Sequence, residues 1–145
     1  MSFEFEKSTG SLIKTASRLL IRVADQHLSE VGVTYAQSSF LILLWENEGQ
    51  TQAELSQRSG IEQPTVVRTL DRMERDGLVE RVKDPNDRRC FNIHLTSKAK
   101  KIAEELEKLS NEINGLATVG MSDSEVSDFN RVVLKVINNL SVALA

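Results

Sequence analysis

The stretch Leu78-Val79-Glu80-Arg81-Val82-Lys83-Asp84-Pro85-Asn86-Asp87-Arg88-Arg89-Cys90-Phe91-Asn92-Ile93-His94-Leu95 decides the fold. Before it, apolar residues recur at helical spacing; here the period changes to alternation. Leu78 to Lys83, with Val79 and Val82, reads as a first strand. Phe91, Ile93 and Leu95 alternate with Asn92 and His94 in a second. Asp84 to Arg89 between them is polar and rich in turn formers. The stretch is therefore a β-hairpin with a charged tip.

Working outward, Gln63 to about Asp76 reads as a helix, with Pro64 in its first turn and Gly77 as its stop. Thr51 and Glu54 have capping-box spacing and open a short helix, Gln52 to Arg58, that ends near Gly60. A helix from about Ala36 to Glu46 is so apolar that burial on most sides is expected; Gly49 ends it. The opening segment to about Leu28 is one amphipathic helix carrying Leu12, Ile13, Ala16, Leu19, Leu20, Val23 and Ala24, and Gly32 breaks it. Beyond the hairpin, Thr96 can cap a long helix from Ser97 to about Leu116, with a last turn weakened by Gly115 and Gly120. Ser122 and Glu125 repeat the capping-box spacing before a final helix carrying Val126, Phe129, Val132, Val133, Val136, Ile137 and Leu140.

Two short helices, a tight turn and then a hairpin is the winged helix-turn-helix order. The expected fold class is mainly α with a small β-hairpin wing. Residues 35–96 are expected to form the winged helix-turn-helix, a DNA-binding domain on the grounds given below, and 1–34 with 97–145 a helical dimerisation region. Three long amphipathic helices at the chain ends exceed what one small lobe needs to bury, which is the residue-level case for a homodimer.

Composition narrows the function. The 145 residues suit one compact domain, and 40% hydrophobic with 27% charged content is ordinary for a folded globular chain. The single Cys90 excludes an internal disulfide framework and a multi-Cys zinc site, and His27 and His94 are too few for a metal cluster. The longest apolar run, Phe40 to Trp45, is far short of a membrane span. The acidic start Met1-Ser2-Phe3-Glu4-Phe5-Glu6 lacks a leader's basic and apolar parts, so a cytoplasmic protein without membrane contact is expected. No nucleophile–base set, paired catalytic carboxylates or phosphate-cradling glycine loop stands out; neither an enzyme, a cofactor nor a metal is expected.

A net charge of −3 seems to speak against nucleic acid, but its distribution does not. Residues 51–101 hold 11 of the 18 basic and 8 of the 21 acidic residues, a net of +3; the remaining 7 basic and 13 acidic residues give −6. With Arg68 at 0° and about 100° per residue, Arg72 falls near 40°, Thr65 near 60° and Thr69 near 100°. Val66, Leu70 and Met73 fall on the other side. Such a helix can enter a major groove, where Arg bonds guanine and Thr meets phosphate or the thymine methyl. Pro64 at its start can touch a base edge. At the hairpin tip, Arg88 and Arg89 can reach a minor groove, with Asp87 holding a guanidinium in a bidentate fork. Taken separately, a solvated helix face and a solvated turn would look the same.

The segment Asp84-Pro85-Asn86-Asp87-Arg88-Arg89, followed by Asn92-Ile93-His94-Leu95-Thr96, resembles the wing signature of the MarR family of bacterial transcription regulators. Gly60-Ile61-Glu62-Gln63-Pro64-Thr65-Val66-Val67-Arg68-Thr69-Leu70-Asp71 is similar to the recognition helix of its SlyA-type branch. The resemblance covers nearly the whole chain. It implies a recognition helix from Gln63 to Asp76, with Arg68 in the place of a base-contacting arginine, Arg89 as the minor-groove arginine and Asp87 as its orienting carboxylate. It also implies an obligate dimer on double-stranded DNA, a pseudo-palindromic operator, repressor or anti-repressor action, and a small aromatic or amphipathic anion as effector. Two departures are Cys90, where the family often has Ala or Ser, and Ala99, where it often has Gly.

Other residues have two readings. Cys90 is an oxidisable thiol or a small residue filling a strand position. His27 touches an effector or sits at a helix end favoured by the dipole. Trp45 and Tyr35 line an aromatic pocket or pack in the core. His94 is expected to face outward. Lys98, Lys100 and Lys101 contact phosphates or are solvated. The whole unit could also serve as a protein-interaction module, since winged helices do both; the arginine pair argues for DNA.

Overall fold

The computed structural model describes residues 4–145; the first three residues of the acidic start lie outside it. The chain divides into two compact units, residues 1–113 and 114–145.

In the first unit, α1 (Thr9–Leu28) is followed by a short 3-10 turn, Ser29–Val31. Then come α2 (Tyr35–Glu46), β1 (Gln50–Thr51), α3 (Gln52–Ser59) and α4 (Gln63–Arg75). The hairpin is β2 (Val79–Lys83) and β3 (Phe91–Leu95), and α5 (Ser97–Ala117) begins directly after it. Helix starts follow their sequence signals. Thr34 with Gln37 and Thr51 with Glu54 form reciprocal capping boxes on α2 and α3. The Thr96 hydroxyl accepts the Ala99 N–H at 3.2 Å and so caps α5.

The core joins parts that the sequence places in different functional regions. Ala24 and Leu28 of α1 and Ala99 and Leu106 of α5 share one cluster with Phe40, Leu41, Leu44, Leu55, Val66, Leu70, Met73 and Ile93. At α4 every buried side chain, Val66, Leu70 and Met73, is on the face opposite Arg68. Gly77, at φ +71°, reverses the chain so that Leu78 and Val79 drop back into this core.

The structure differs from the expectation at three points. A third strand exists: β1 pairs antiparallel with β3, giving the order β1-β3-β2, with Gln50 opposite Ile93 and Thr51 opposite Asn92. Two residues are too few to show a period. Second, α2 is not buried on most sides. Phe40, Leu41 and Leu44 are fully buried, but Ile42 and Trp45, one turn apart, are exposed. Third, Val79 and Val82 are not equivalent. They are three apart in a strand, so they take opposite faces, and only Val79 is buried.

In the second unit, α6 (Asp123–Ala143) opens with the Ser122–Glu125 capping box. None of its residues is buried; Phe129, Val132, Ile137 and Leu140 are all exposed.

Candidate nucleic-acid interface

The α4 helix presents Gln63, Pro64, Thr65, Arg68 and Arg72 to solvent, with Thr69 half-buried at the margin. Pro64 lies in the first turn, where no intrahelical donor is lost. Arg68 Nη2 donates to Thr65 Oγ1 at 3.2 Å, so these two side chains form one unit on the exposed face. The Thr69 hydroxyl donates to the Thr65 carbonyl at 2.9 Å. Its proton is thereby committed to the helix, which leaves its methyl and its accepting oxygen lone pairs for a partner. Among the described residues, the Arg72 side chain has no hydrogen-bond or ionic partner.

The hairpin tip is ordered by its own side chains. Asp84 Oδ1 accepts the N–H groups of Asn86 at 2.7 Å and Asp87 at 3.3 Å. Asp87 Oδ1 accepts both the backbone N–H of Arg89 at 3.0 Å and its Nε–H at 3.3 Å. The expected bidentate fork is not formed. One carboxylate oxygen takes both bonds, from the Arg89 backbone N–H and from Nε–H. The second oxygen, Oδ2, accepts the Cys90 thiol at 3.6 Å. The Arg89 backbone bond, with the side-chain bond beside it, holds the Asp87 carboxyl below the usual carboxylate range. Burial first, then the Asp87 charge, pushes the Cys90 thiol up. Cys90 is therefore a poorer nucleophile than an unperturbed thiol. Arg89 is 91% exposed, and Arg88 is exposed too.

Charged residues behind this face hold it in place. Asp76, just past α4, accepts Gln37 Nε2 of α2 at 3.1 Å and Arg75 Nε at 3.2 Å; these two bonds, Gln37's first, lower its carboxyl. Lys98 Nζ donates to the Asp76 carbonyl at 3.0 Å, and Lys100 pairs with Glu48 at 3.3 Å. Both lysines thus have partners inside the fold. Arg58 of α3 reaches Glu46 at 2.7 Å and Gln50 Oε1 at 2.9 Å, tying α3 to the end of α2.

Arg81 was not singled out from the sequence. Its guanidinium bonds Asp71 at 2.7 Å and Glu74 at 2.6 Å, both on α4, and Gln52 Oε1 of α3 at 3.2 Å. The signal was present: strand parity puts Arg81 on the same face as buried Val79, and a cation there needs acceptors.

The remaining candidates separate. Trp45 is 49% exposed, so the core reading fails for it. With Ile42, Ala103, Glu104 and Glu107 it borders a cavity of about 450 Å³ between α2 and α5. Tyr35 is half-buried against the core, and its N–H donates to Asp25 Oδ1 at 2.7 Å. The His27 ring bonds the Val23 carbonyl within its own helix at 2.9 Å. His94 does not simply face outward. It is half-buried, with Nδ1 3.8 Å from Glu48 Oε1, and a Cβ on Gly49 would come within 3.2 Å of its ring. Gly49, at φ +81°, both makes that turn and leaves that space. No group of three or more His, Cys, Asp or Glu is gathered as a metal site would require, among the described residues. No helix among them is long and apolar enough to cross a membrane.

A helix-turn-helix whose second helix carries an exposed Thr–Arg face, backed by a three-stranded wing with an arginine tip, defines a winged-helix domain. Residues 33–91 match the family model described as the MarR family. Among solved structures, the chain is similar to a cysteine-to-serine mutant of MarR from E. coli complexed with operator DNA. That match has a TM-score of 0.85 at 27% identity and covers 93% of this chain and 99% of the other. It is similar to MepR of S. aureus in a DNA complex, with TM-score 0.85, 25% identity, and 91% and 98% covered. The transcriptional regulator SlyA shares the fold at TM-score 0.83 and 23% identity, with 90% and 92% covered.

Proposed function

We propose that this chain is a sequence-specific transcription regulator that binds double-stranded DNA as a homodimer. The observation that carries the proposal is the exposed Arg68–Thr65 unit on α4, flanked by exposed Arg72, in the same basic segment as Arg88 and Arg89. In this reading α4 enters the major groove with Gln63, Pro64, Thr65, Arg68, Thr69 and Arg72. The wing, with Arg88, Arg89 and Asp87, follows the adjacent minor groove. The DNA complexes of the two relatives at 25% and 27% identity support it.

The dimer is proposed on apolar exposure. Leu12, Ile13 and Leu19 on α1 are open to solvent, and so is the apolar stripe of α6. Faces of that size on a lone chain mark association surfaces. Residues 1–34 and 97–145 would then supply the dimer contacts and 35–96 the DNA contacts. Two-fold symmetry sets the operator as pseudo-palindromic, with half-sites about one turn apart. The SlyA-type branch, repressor or anti-repressor action, a cytoplasmic location and the absence of enzymatic turnover complete the proposal. An effector that is a small aromatic anion rests on the family resemblance alone. The cavity beside Trp45 has Glu46, Glu104 and Glu107 in its wall, which suits an anion poorly.

A protein-docking role is the competing reading. Titrating duplex DNA at rising salt separates the two. The DNA reading expects affinity to fall steeply with ionic strength, and a docking module expects no salt-sensitive duplex affinity.

A further inference from the structure

We propose that Arg81 is the positioning residue that fixes the recognition helix against the wing, and that sequence discrimination depends on it. This rests on the DNA-binding reading above. Arg81 lies in β2, the first strand of the wing, and its side chain is only 15% exposed. It is therefore placed to act through its partners rather than on DNA.

Those partners are all on the helix-turn-helix. Nη1 takes Glu74 and Nη2 takes Asp71, three residues apart and so on one face of α4. Nη2 also reaches Gln52 in the first turn of α3. A planar guanidinium with donors in fixed directions can hold three acceptors at once; an ammonium on a flexible stem cannot impose the same geometry. Asp71 lies about 60° from Arg68 around α4, on the flank of the exposed basic face. One side chain thus links wing, recognition helix and supporting helix, and offsets two carboxylates close to where phosphates would pass.

Positioning and charge compensation make different predictions. Arg81→Gln lowers the local charge by one, and Asp71→Asn with Glu74→Gln raises it by two. If Arg81 acts only as a charge, affinity follows net charge: the first variant binds every duplex more weakly, the second more tightly. The ratio between sites stays the same. If Arg81 positions the helix, both variants lose discrimination although their charges change in opposite directions.

The test measures dissociation constants of the full-length chain for a duplex selected by the parent protein and for a scrambled duplex of equal length. Circular dichroism and thermal melts accompany each variant. The expected result is a selected-to-scrambled ratio reduced at least tenfold in both Arg81→Gln and the carboxylate double variant. A ratio within twofold of the parent in the double variant overturns the proposal, as does an unchanged ratio in a folded Arg81→Gln. If Arg81→Gln does not fold, the double variant, which keeps Arg81, carries the decision. A parent protein that fails to select any duplex overturns the DNA-binding reading itself, and that outcome is visible before any variant is made.

Discussion

Asp87 Oδ1 holds Arg89 twice, by its backbone N–H at 3.0 Å and by its Nε–H at 3.3 Å. The carboxylate therefore sets the direction in which the Arg89 side chain leaves the turn, without occupying the outer nitrogens of the guanidinium. Those nitrogens stay available to a ligand, and the 91% exposure of the side chain puts them in solvent. A fork would have taken up at least one of their N–H groups. The single-oxygen contact suits a residue that must be aimed and still bind something else.

That contact has a defined pH window. The Asp87 carboxyl is held below its ordinary value in the folded chain, chiefly by the Arg89 N–H. A depressed folded value means the contribution is fully present above the ordinary carboxylate value of about 3.9, and is lost as pH falls through the lower folded value. An NMR titration following the Asp87 carboxyl and the Arg89 N–H should therefore show a midpoint below that ordinary value. Between pH 5 and 8 the Asp87–Arg89 contact should not change. A midpoint at or above the ordinary value would contradict the contact.

The Thr51 cap makes a stability prediction. Thr51 Oγ1 accepts the Glu54 N–H at 3.2 Å, and Glu54 Oε2 accepts the Thr51 N–H at 2.8 Å. Removing an N-cap hydroxyl costs about 1 kcal/mol. Thr51→Ala should lower the thermal midpoint by a few degrees while leaving the DNA-facing residues unchanged. An unaltered midpoint would mean that the capping box contributes nothing to the short helix.

Cys90 should be sluggish towards thiol reagents. Burial and the neighbouring Asp87 raise its thiol, so less of it is thiolate at pH 7 than in an unperturbed cysteine. Labelling of the native chain by a disulfide reagent at pH 7 should be slower than labelling of the unfolded chain. Cys90→Ser should bind DNA like the parent. Faster labelling in the native state would reopen an oxidant-sensing role.

Helices, their caps and the hairpin were legible because each has a local signature: a period, a capping box, a proline or a glycine at a boundary. The exposed face of α4 was legible for the same reason, since one helix turn places Thr65, Arg68 and Arg72 together. What could not be read depended on pairing between distant segments. The two residues of β1 have meaning only against β3. The α2 helix was expected to be buried because it is apolar, yet its Ile42–Trp45 flank is open, because exposure depends on where α5 runs. The wing was read as a charged turn, but the oxygen-by-oxygen arrangement at Asp87 is three-dimensional. Arg81 is the informative omission. Strand parity alone places a cation on the inner face, and only the fold shows that its partners are Asp71, Glu74 and Gln52.

The apolar face of α6 gives the test of assembly. Phe129, Ile137 and Leu140 are exposed in the single chain. Replacing Ile137 and Leu140 by Asp puts charges on this face without removing anything from the core described above. Sedimentation should show a dimer for the parent and a monomer for the variant. The same mass for both would remove α6 from the association surface.

The central claim is that the α4 face and the wing arginines read DNA. The most direct measurement is selection of bound sequences from a random duplex pool by the full-length chain, repeated with Arg68→Ala and with Arg89→Ala. The account predicts a pseudo-palindromic motif with half-sites about one helical turn apart. It predicts that Arg68→Ala relaxes a base preference within each half-site, at a cost of about 1–3 kcal/mol. It further predicts that Arg89→Ala weakens binding where the wing meets the flanking minor groove. No enriched motif from the parent, or the same motif and affinity from all three proteins, would contradict it.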